Sequence, residues 1–202
     1  MAGPILEIDA QHPQPRLIER AVSALESGGI IAYPTDTYYA IGCDLLNKRA
    51  VEKLYRLKQR PKNKPLSFLC ADLSDASKYA HISNFAYRTM KRMVPGPFTF
   101  VLPATRLTPE VAMTRQKTVG IRISGAAIPQ ALVERRGHPL LTTSATWEGE
   151  PLNDPRSIKE RLGHGLDLIV DGGYQVFEPS TVVSLLDDEI EVLREGKGKV
   201  EL

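Results

Sequence analysis

Short apolar runs rich in β-branched and aromatic residues recur along the chain, with amphipathic stretches between them and Gly or Pro at the joins. This alternation restricts the fold more than any other feature, because strands that take turns with helices pack as a sheet covered by helices. The strand-like runs are Gly29 to Tyr33, Leu66 to Cys70, Phe98 to Leu102, Thr118 to Ile123, Leu140 to Thr143, Leu166 to Val170, Thr181 to Leu185 and Ile190 to Leu193. The helical stretches are Pro15 to Ser27, Lys48 to Lys58, Ser83 to Met93, Pro129 to Arg136 and Pro155 to Leu162. In the first of these, Leu17, Ile18, Ala21, Val22 and Leu25 fall at three-and-four spacing and Gly28-Gly29 ends the helix. In the last, Asp154 is the N-cap, Pro155 takes the first position and Gly163 follows. The two closing strands have no helix between them, which predicts an antiparallel edge. The expected architecture is α/β: one twisted open mixed sheet flanked by helices, a single domain over residues 1–202 with its core from about 14 to 200.

Composition narrows the chemistry. A chain of 202 residues that is 42% hydrophobic and 25% charged can bury one sizeable core. Lysine and arginine total 26 against 24 acidic residues, and the resulting +2 is too small for wholesale polyanion binding, so any nucleic-acid footprint is local. Cys43 and Cys70 form no C-x-x-C pair and read as small core residues of a protein in a reducing compartment. The first residues lack the basic start and apolar stretch of a signal peptide, and no run approaches the roughly 18 apolar residues of a membrane span. A cytoplasmic protein without membrane contact is expected. Histidines at 12, 81, 138 and 164 have no ligand partner at helical spacing, so no metal site is assigned.

The common nucleotide and hydrolase signatures, G-x-x-x-x-G-K-[ST], G-x-G-x-x-G after a strand, G-x-S-x-G and H-E-x-x-H, are missing. The informative segment is instead Lys53 to Pro65, which sets Arg56, Lys58, Arg60, Lys62 and Lys64 across a helix end stopped by Pro61. Arg60 precedes a proline and is pushed toward an extended conformation, so it and Lys58 can converge on one anion instead of lining one helical face. The plain alternative is a solvated charge run complementing a helix C-terminus. A second candidate is Leu141 to Thr146, where a strand runs out into small hydroxyl residues before Trp147-Glu-Gly149. Such strand ends line clefts in α/β proteins, although they also serve as ordinary turns. Tyr33 to Gly42, Pro95 to Thr99 and Pro179 to Val183 read as tight polar turns adjoining apolar strands.

In this order the pieces resemble the YrdC-like family, across nearly the whole chain. The family pattern P-T-[ED]-[TS]-x-Y-x-[LI]-G is matched by Pro34 to Gly42, and K-x-R-P by Lys58 to Pro61. P-G-P-x-T stands at Pro95 to Thr99, V-x-[VI]-R at Val119 to Arg122, P-S-T-V-V at Pro179 to Val183, and [LI]-R-x-G at Leu193 to Gly196. One position departs: the S-x-N of the family reads Ser144-Ala-Thr146, a hydroxyl in place of an amide. That change, with aspartate at 36 where many synthases have glutamate, is more similar to the YciO branch.

The resemblance implies a YrdC/RibB-like fold and synthesis of threonylcarbamoyl adenylate from L-threonine, bicarbonate and ATP with Mg²⁺, serving tRNA modification. It implies Lys58 and Arg60 as the catalytic cations, Thr35, Tyr39, Arg122 and Ser180 toward threonine, and Lys58, Arg60, Ser144, Thr146, Ser180 and Arg194 toward the nucleotide. Arg122 reads equally as a structural ion pair, since an arginine on an apolar strand must find an anion. A rival reading from the same basic segment is a transfer-RNA or double-stranded-RNA binder using Arg56, Lys62, Lys64, Lys91 and Arg92, with tRNA-modification proteins as partners. Only 6% of residues are aromatic and no RNP-type pattern is present, which disfavours reading of stacked single-stranded bases. A sugar-phosphate lyase on the related fold lacks a clustered acidic metal site.

Overall fold

The computed structural model describes residues 3–59, 66–175 and 178–200. The strands are β1 Ile5–Glu7, β2 Ile30–Tyr33, β3 Ala40–Asp44, β4 Ser67–Leu69, β5 Phe98–Pro103, β6 Thr118–Arg122, β7 Leu140–Ser144, β8 Thr146–Trp147, β9 Glu150–Pro151, β10 Leu168–Asp171, β11 Thr181–Ser184 and β12 Glu191–Arg194. The helices are α1 Pro15–Glu26, α2 Lys48–Leu57, α3 Leu73–Tyr79, α4 Asn84–Lys91, α5 Ala127–Arg136 and α6 Pro155–Leu162. Ten strands form one sheet in the order β1-β10-β2-β3-β7-β4-β6-β5-β11-β12, and β8 and β9 form a separate hairpin. The sheet is mixed throughout. β2, β3, β7 and β4 run antiparallel to their neighbours in that stretch, whereas β1-β10, β10-β2, β4-β6 and β5-β11 are parallel. The closing pair β11-β12 is the expected antiparallel edge.

Strand alternation sorts the buried side chains onto two faces. Ile30 and Ala32 of β2 join one cluster with Ile41 and Cys43 of β3, covered by α2, α4 and α6. Ile31 and Tyr33 join the other with Ala40, covered by α1 and α5. Cys43 and Cys70 are both buried and unpaired, as their reading as core residues requires. Among the described residues no helix is long and apolar enough to cross a membrane.

Local signals account for the elements that match expectation. α1 starts on Pro15 and buries Ile18, Ala21, Val22 and Leu25. Its chain turns at Gly28, whose φ of +77° favours glycine. Asp154 caps α6 by accepting from the backbone N–H groups of Arg156 and Ser157. α5 begins at Ala127, two residues before the expected Pro129, which the first turn tolerates because its N–H groups have no helical partner.

The structure corrects one expectation in kind. Tyr33 to Gly42 is not a turn throughout: its last residues enter β3, a central strand buried along its whole length. Burial on both faces removes the polar alternation that marks a half-exposed strand. Gly42 is required there for packing, since a Cβ would lie 3.0 Å from both the Tyr33 hydroxyl and the Leu141 carbonyl. The Tyr33 hydroxyl crosses β3 to meet Thr142 Oγ1 on β7 at 2.7 Å, and burial pushes its pKa up to about 12. β1, α3 and the β8-β9 hairpin are further elements with no sequence expectation.

Candidate active site

Two adjoining cavities open where the edges of the motifs meet. The first, about 780 Å³, is lined by Tyr38, Leu57, Lys58, Gln59, Thr143, Ser144, Thr146, Trp147, Glu148, Gly149, Leu162, Pro179 and Arg194. The second, about 370 Å³, is lined mostly by hydroxyl residues, among them Ser67, Thr99, Thr118, Thr142 and Ser180, together with Arg122 and Arg194. Thr143, Ser144 and Arg194 line both, so the cavities share a wall at the end of β7.

Lys58 caps the C-terminus of α2, and its ammonium donates to the Thr146 hydroxyl at 2.7 Å and to the Thr146 carbonyl at 2.8 Å. The residue that departs from the S-x-N pattern is therefore one that holds the lysine. Arg194, at the end of β12, donates to the Ser180 carbonyl from Nη2 at 2.8 Å and from Nε at 3.2 Å, and to Ser180 Oγ at 3.1 Å. Ser180 Oγ also meets Thr99 Oγ1 at 2.9 Å. Gly196 completes the R-x-G motif sterically: a Cβ there would lie 2.4 Å from the Pro179 carbonyl, where the chain presses back over the Pro179–Ser180 turn.

Arg122, at the end of β6, makes the ion pair that its apolar strand demands. Its Nη2 donates to Asp36 Oδ1 at 2.8 Å and to Thr37 Oγ1 at 3.1 Å. Asp36 Oδ2 in turn accepts from the Gly125 N–H at 2.8 Å. Arg122 Nε is buried with no hydrogen-bond partner among the described residues, although the residue lines the second cavity. Both readings of Arg122 thus have a physical basis: its guanidinium is paired with Asp36, and the residue stands in the wall of the second cavity.

Thr35 and Tyr39 stand behind the cavity walls. The Thr35 hydroxyl donates to the Tyr38 carbonyl at 2.6 Å and accepts from the Thr37 N–H at 3.1 Å, shaping the loop that sends Tyr38 into the first cavity. Tyr39 is fully buried. Its hydroxyl donates to the Gly173 carbonyl at 2.8 Å and accepts from the Gly172 N–H at 3.1 Å, and burial holds the phenol well above its usual pKa. Neither residue lines either cavity, so a threonine contact by Thr35 or Tyr39 is not visible in this arrangement.

Of the basic segment, Arg60, Lys62 and Lys64 lie outside the described residues. Arg56 lines a separate groove of about 450 Å³ with Lys53 and His164. Lys91 lies over the Tyr87 ring at 5.8 Å, and Arg92 caps the end of α4. The described members of the set expected to bind RNA, Arg56 on α2 and Lys91 and Arg92 at the end of α4, thus lie on two helices. Residues that sequence reading did not assign include Tyr38, Trp147, Glu148 and Thr99 on the walls, and Lys197, whose Nζ donates to the Asp36 carbonyl at 2.7 Å. Thr99 had a signal in the P-G-P-x-T motif; Trp147 and Glu148 had none.

Comparison with known proteins gives a consistent picture. Residues 23–196 match the family model Sua5_yciO_yrdC, described as telomere recombination. The uncharacterized protein YciO of Escherichia coli K12 is 42% identical over 196 residues, covering 96% of this chain and 95% of that protein. The E. coli YciO crystal structure superposes with a TM-score of 0.94 at 40% identity, over 98% of both chains. The threonylcarbamoyl-AMP synthase of Vibrio vulnificus YJ016 is 31% identical over 159 residues, 77% of this chain and 86% of that protein. The crystal structure of P. abyssi Sua5 complexed with L-threonine superposes with a TM-score of 0.89 at 28% identity, over 96% of this chain and 57% of that one.

Proposed function

Because the chain belongs to the Sua5/YciO/YrdC family, we propose that it is a nucleotidyltransferase of the threonylcarbamoyl-AMP synthase type, which makes threonylcarbamoyl adenylate and pyrophosphate from L-threonine, bicarbonate and ATP. The observation that carries the reading is the shared wall of the two cavities, which sets the cavity lined by Arg122 beside a chamber lined by Lys58 and Arg194. An amino-acid carboxylate suits Arg122, and phosphate oxygens suit the ammonium and guanidinium.

The chemistry balances without a covalent enzyme intermediate. The threonine amine attacks the carbon of bicarbonate, loses a proton and releases water, leaving a carbamate. A carbamate oxygen then attacks the α-phosphorus of ATP, and the bond to the β-phosphate oxygen breaks to release pyrophosphate. Mg²⁺ enters with ATP as part of the substrate. The protein's share is positioning and cationic stabilisation of the phosphoryl transition state, which requires no P-loop. Lys58 supplies charge at the phosphates, held in place by Thr146; Arg60, two positions on in the K-x-R-P motif, is assigned the same role; Ser144, Ser180 and Arg194 fix the nucleotide where the cavities meet.

Threonine-dependent pyrophosphate release tests this. A rate that requires L-threonine and bicarbonate supports the reading, and pyrophosphate release indifferent to both refutes it.

A further inference from the structure

The first cavity has a wall that phosphate handling leaves unused. The β8-β9 hairpin pairs Thr146 with Pro151 and Trp147 with Glu150, outside the main sheet. Its turn is Glu148-Gly149, with φ of +51° and +90°, the conformation of two-residue hairpin loops in which both central residues are left-handed. A turn of this type fixes the direction of the residues beside it. Trp147 is half-buried, packs in part against the main core cluster and lines the cavity. Glu148 is exposed at the cavity rim and is the one carboxylate among its described lining residues.

An indole offers a polyphosphate one N–H donor at most and leaves its aromatic face unused, and a carboxylate repels the phosphate oxygens across a cavity wall. Both fit the uncharged part of a nucleotide. An aromatic face stacks on a base of any sequence, and a carboxylate accepts from ribose hydroxyls or an exocyclic amine, donors that phosphates lack. We infer that the β8-β9 hairpin is the nucleoside-recognition wall of the cavity, with Trp147 stacking on the base and Glu148 accepting hydrogen bonds from the nucleoside. This inference rests on the ATP-using reading above and names side chains that reading does not need.

Trp147 is the only tryptophan in the chain, so tryptophan fluorescence reports on this wall alone. The unaltered protein is titrated with MgATP and, separately, with magnesium tripolyphosphate, by calorimetry and by fluorescence in parallel. MgATP is expected to change the emission saturably, with the calorimetric midpoint, while tripolyphosphate binds without a comparable change. Trp147→Leu is expected to weaken MgATP binding about tenfold and leave tripolyphosphate binding unchanged. Glu148→Gln is expected to weaken MgATP binding but to strengthen tripolyphosphate binding, because a repelling charge is removed. MgATP heat with no fluorescence response, or equal effects of Glu148→Gln on both ligands, overturns the inference alone. No MgATP heat from the folded protein overturns the inference together with the ATP-using reading.

Discussion

The Lys58 ammonium and the Thr146 hydroxyl, 88 positions apart in sequence, meet at 2.7 Å at the end of α2. The contact explains how a chain with threonine at the S-x-N position can still hold its cavity lysine: a hydroxyl accepts from an ammonium as an amide oxygen does. Thr146→Val keeps the shape and the backbone carbonyl contact but removes this acceptor. A hydrogen bond to a charged group is worth about 1.5–3 kcal/mol, so pyrophosphate formation should fall by about tenfold to a hundredfold. Thr146→Ser should restore most of it and Thr146→Asn should match or exceed the starting rate. Equal rates in Val and Ser variants would remove Thr146 from the account.

Lys58→Ala and Arg60→Ala should each abolish threonine-dependent pyrophosphate release while leaving the circular dichroism spectrum and the unfolding midpoint near those of the starting protein. Lys58→Arg should not rescue fully, since a planar fork does not replace a point charge held by one hydroxyl and one carbonyl. Normal turnover in either alanine variant would show that the phosphates are handled elsewhere.

Arg122 couples the site to the fold through Asp36. Arg122→Ala should raise the KM for threonine by an order of magnitude or more, because a carboxylate loses a buried charged donor. The same change leaves the Asp36 carboxylate with the Gly125 N–H as its remaining donor among the described residues, and should lower unfolding stability by about 1–3 kcal/mol. Denaturant unfolding and rates at varied threonine separate the two effects. An unchanged KM would confine Arg122 to its ion pair.

Asp154 gives a pH dependence of known sign. The Ser157 side chain, followed by the backbone N–H groups of Ser157 and Arg156, stabilises its carboxylate and holds its pKa below the usual 3.8. A depressed folded-state pKa adds stability that is present above the unfolded value and is lost as acidification proceeds through the folded one. In Asp154→Ala, neutral-pH stability should fall by about 1 kcal/mol, and the difference from the starting protein should shrink below pH 3.8. A difference that grows on acidification would contradict the cap assignment.

Burial raises the Cys43 thiol to about 12 and the Cys70 thiol well above its ordinary value. Neither should react with iodoacetamide at neutral pH until the protein is unfolded, as mass spectrometry of the native and denatured protein would record. Fast alkylation of either thiol in the native state would contradict its place in the core.

The parts of this structure that were legible in sequence are those written in short-range chemistry. α1 and α6 carry their own start and stop residues, and β2 is a compact apolar run between Gly29 and Pro34. β3 was not legible because burial on both faces erases alternation, and Gly42 looked like a turn residue although it serves a Tyr33 hydroxyl passing overhead. The site divides in the same way. Ser180, Arg194 and Arg122 sat in recognisable motifs, whereas the Lys58–Thr146 bond and the aromatic wall at Trp147 depend on the β8-β9 hairpin, which only tertiary structure brings over the end of α2.

The central claim is that the two cavities join a threonine carbamate to the α-phosphate of ATP. Its most direct test is mass spectrometry of the products formed with ATP, Mg²⁺, bicarbonate and L-threonine, each omitted in turn. The account predicts threonylcarbamoyl adenylate and pyrophosphate from the complete mixture, neither when any component is left out, and neither from Lys58→Ala. A complete mixture that yields no adenylate from folded protein would contradict it.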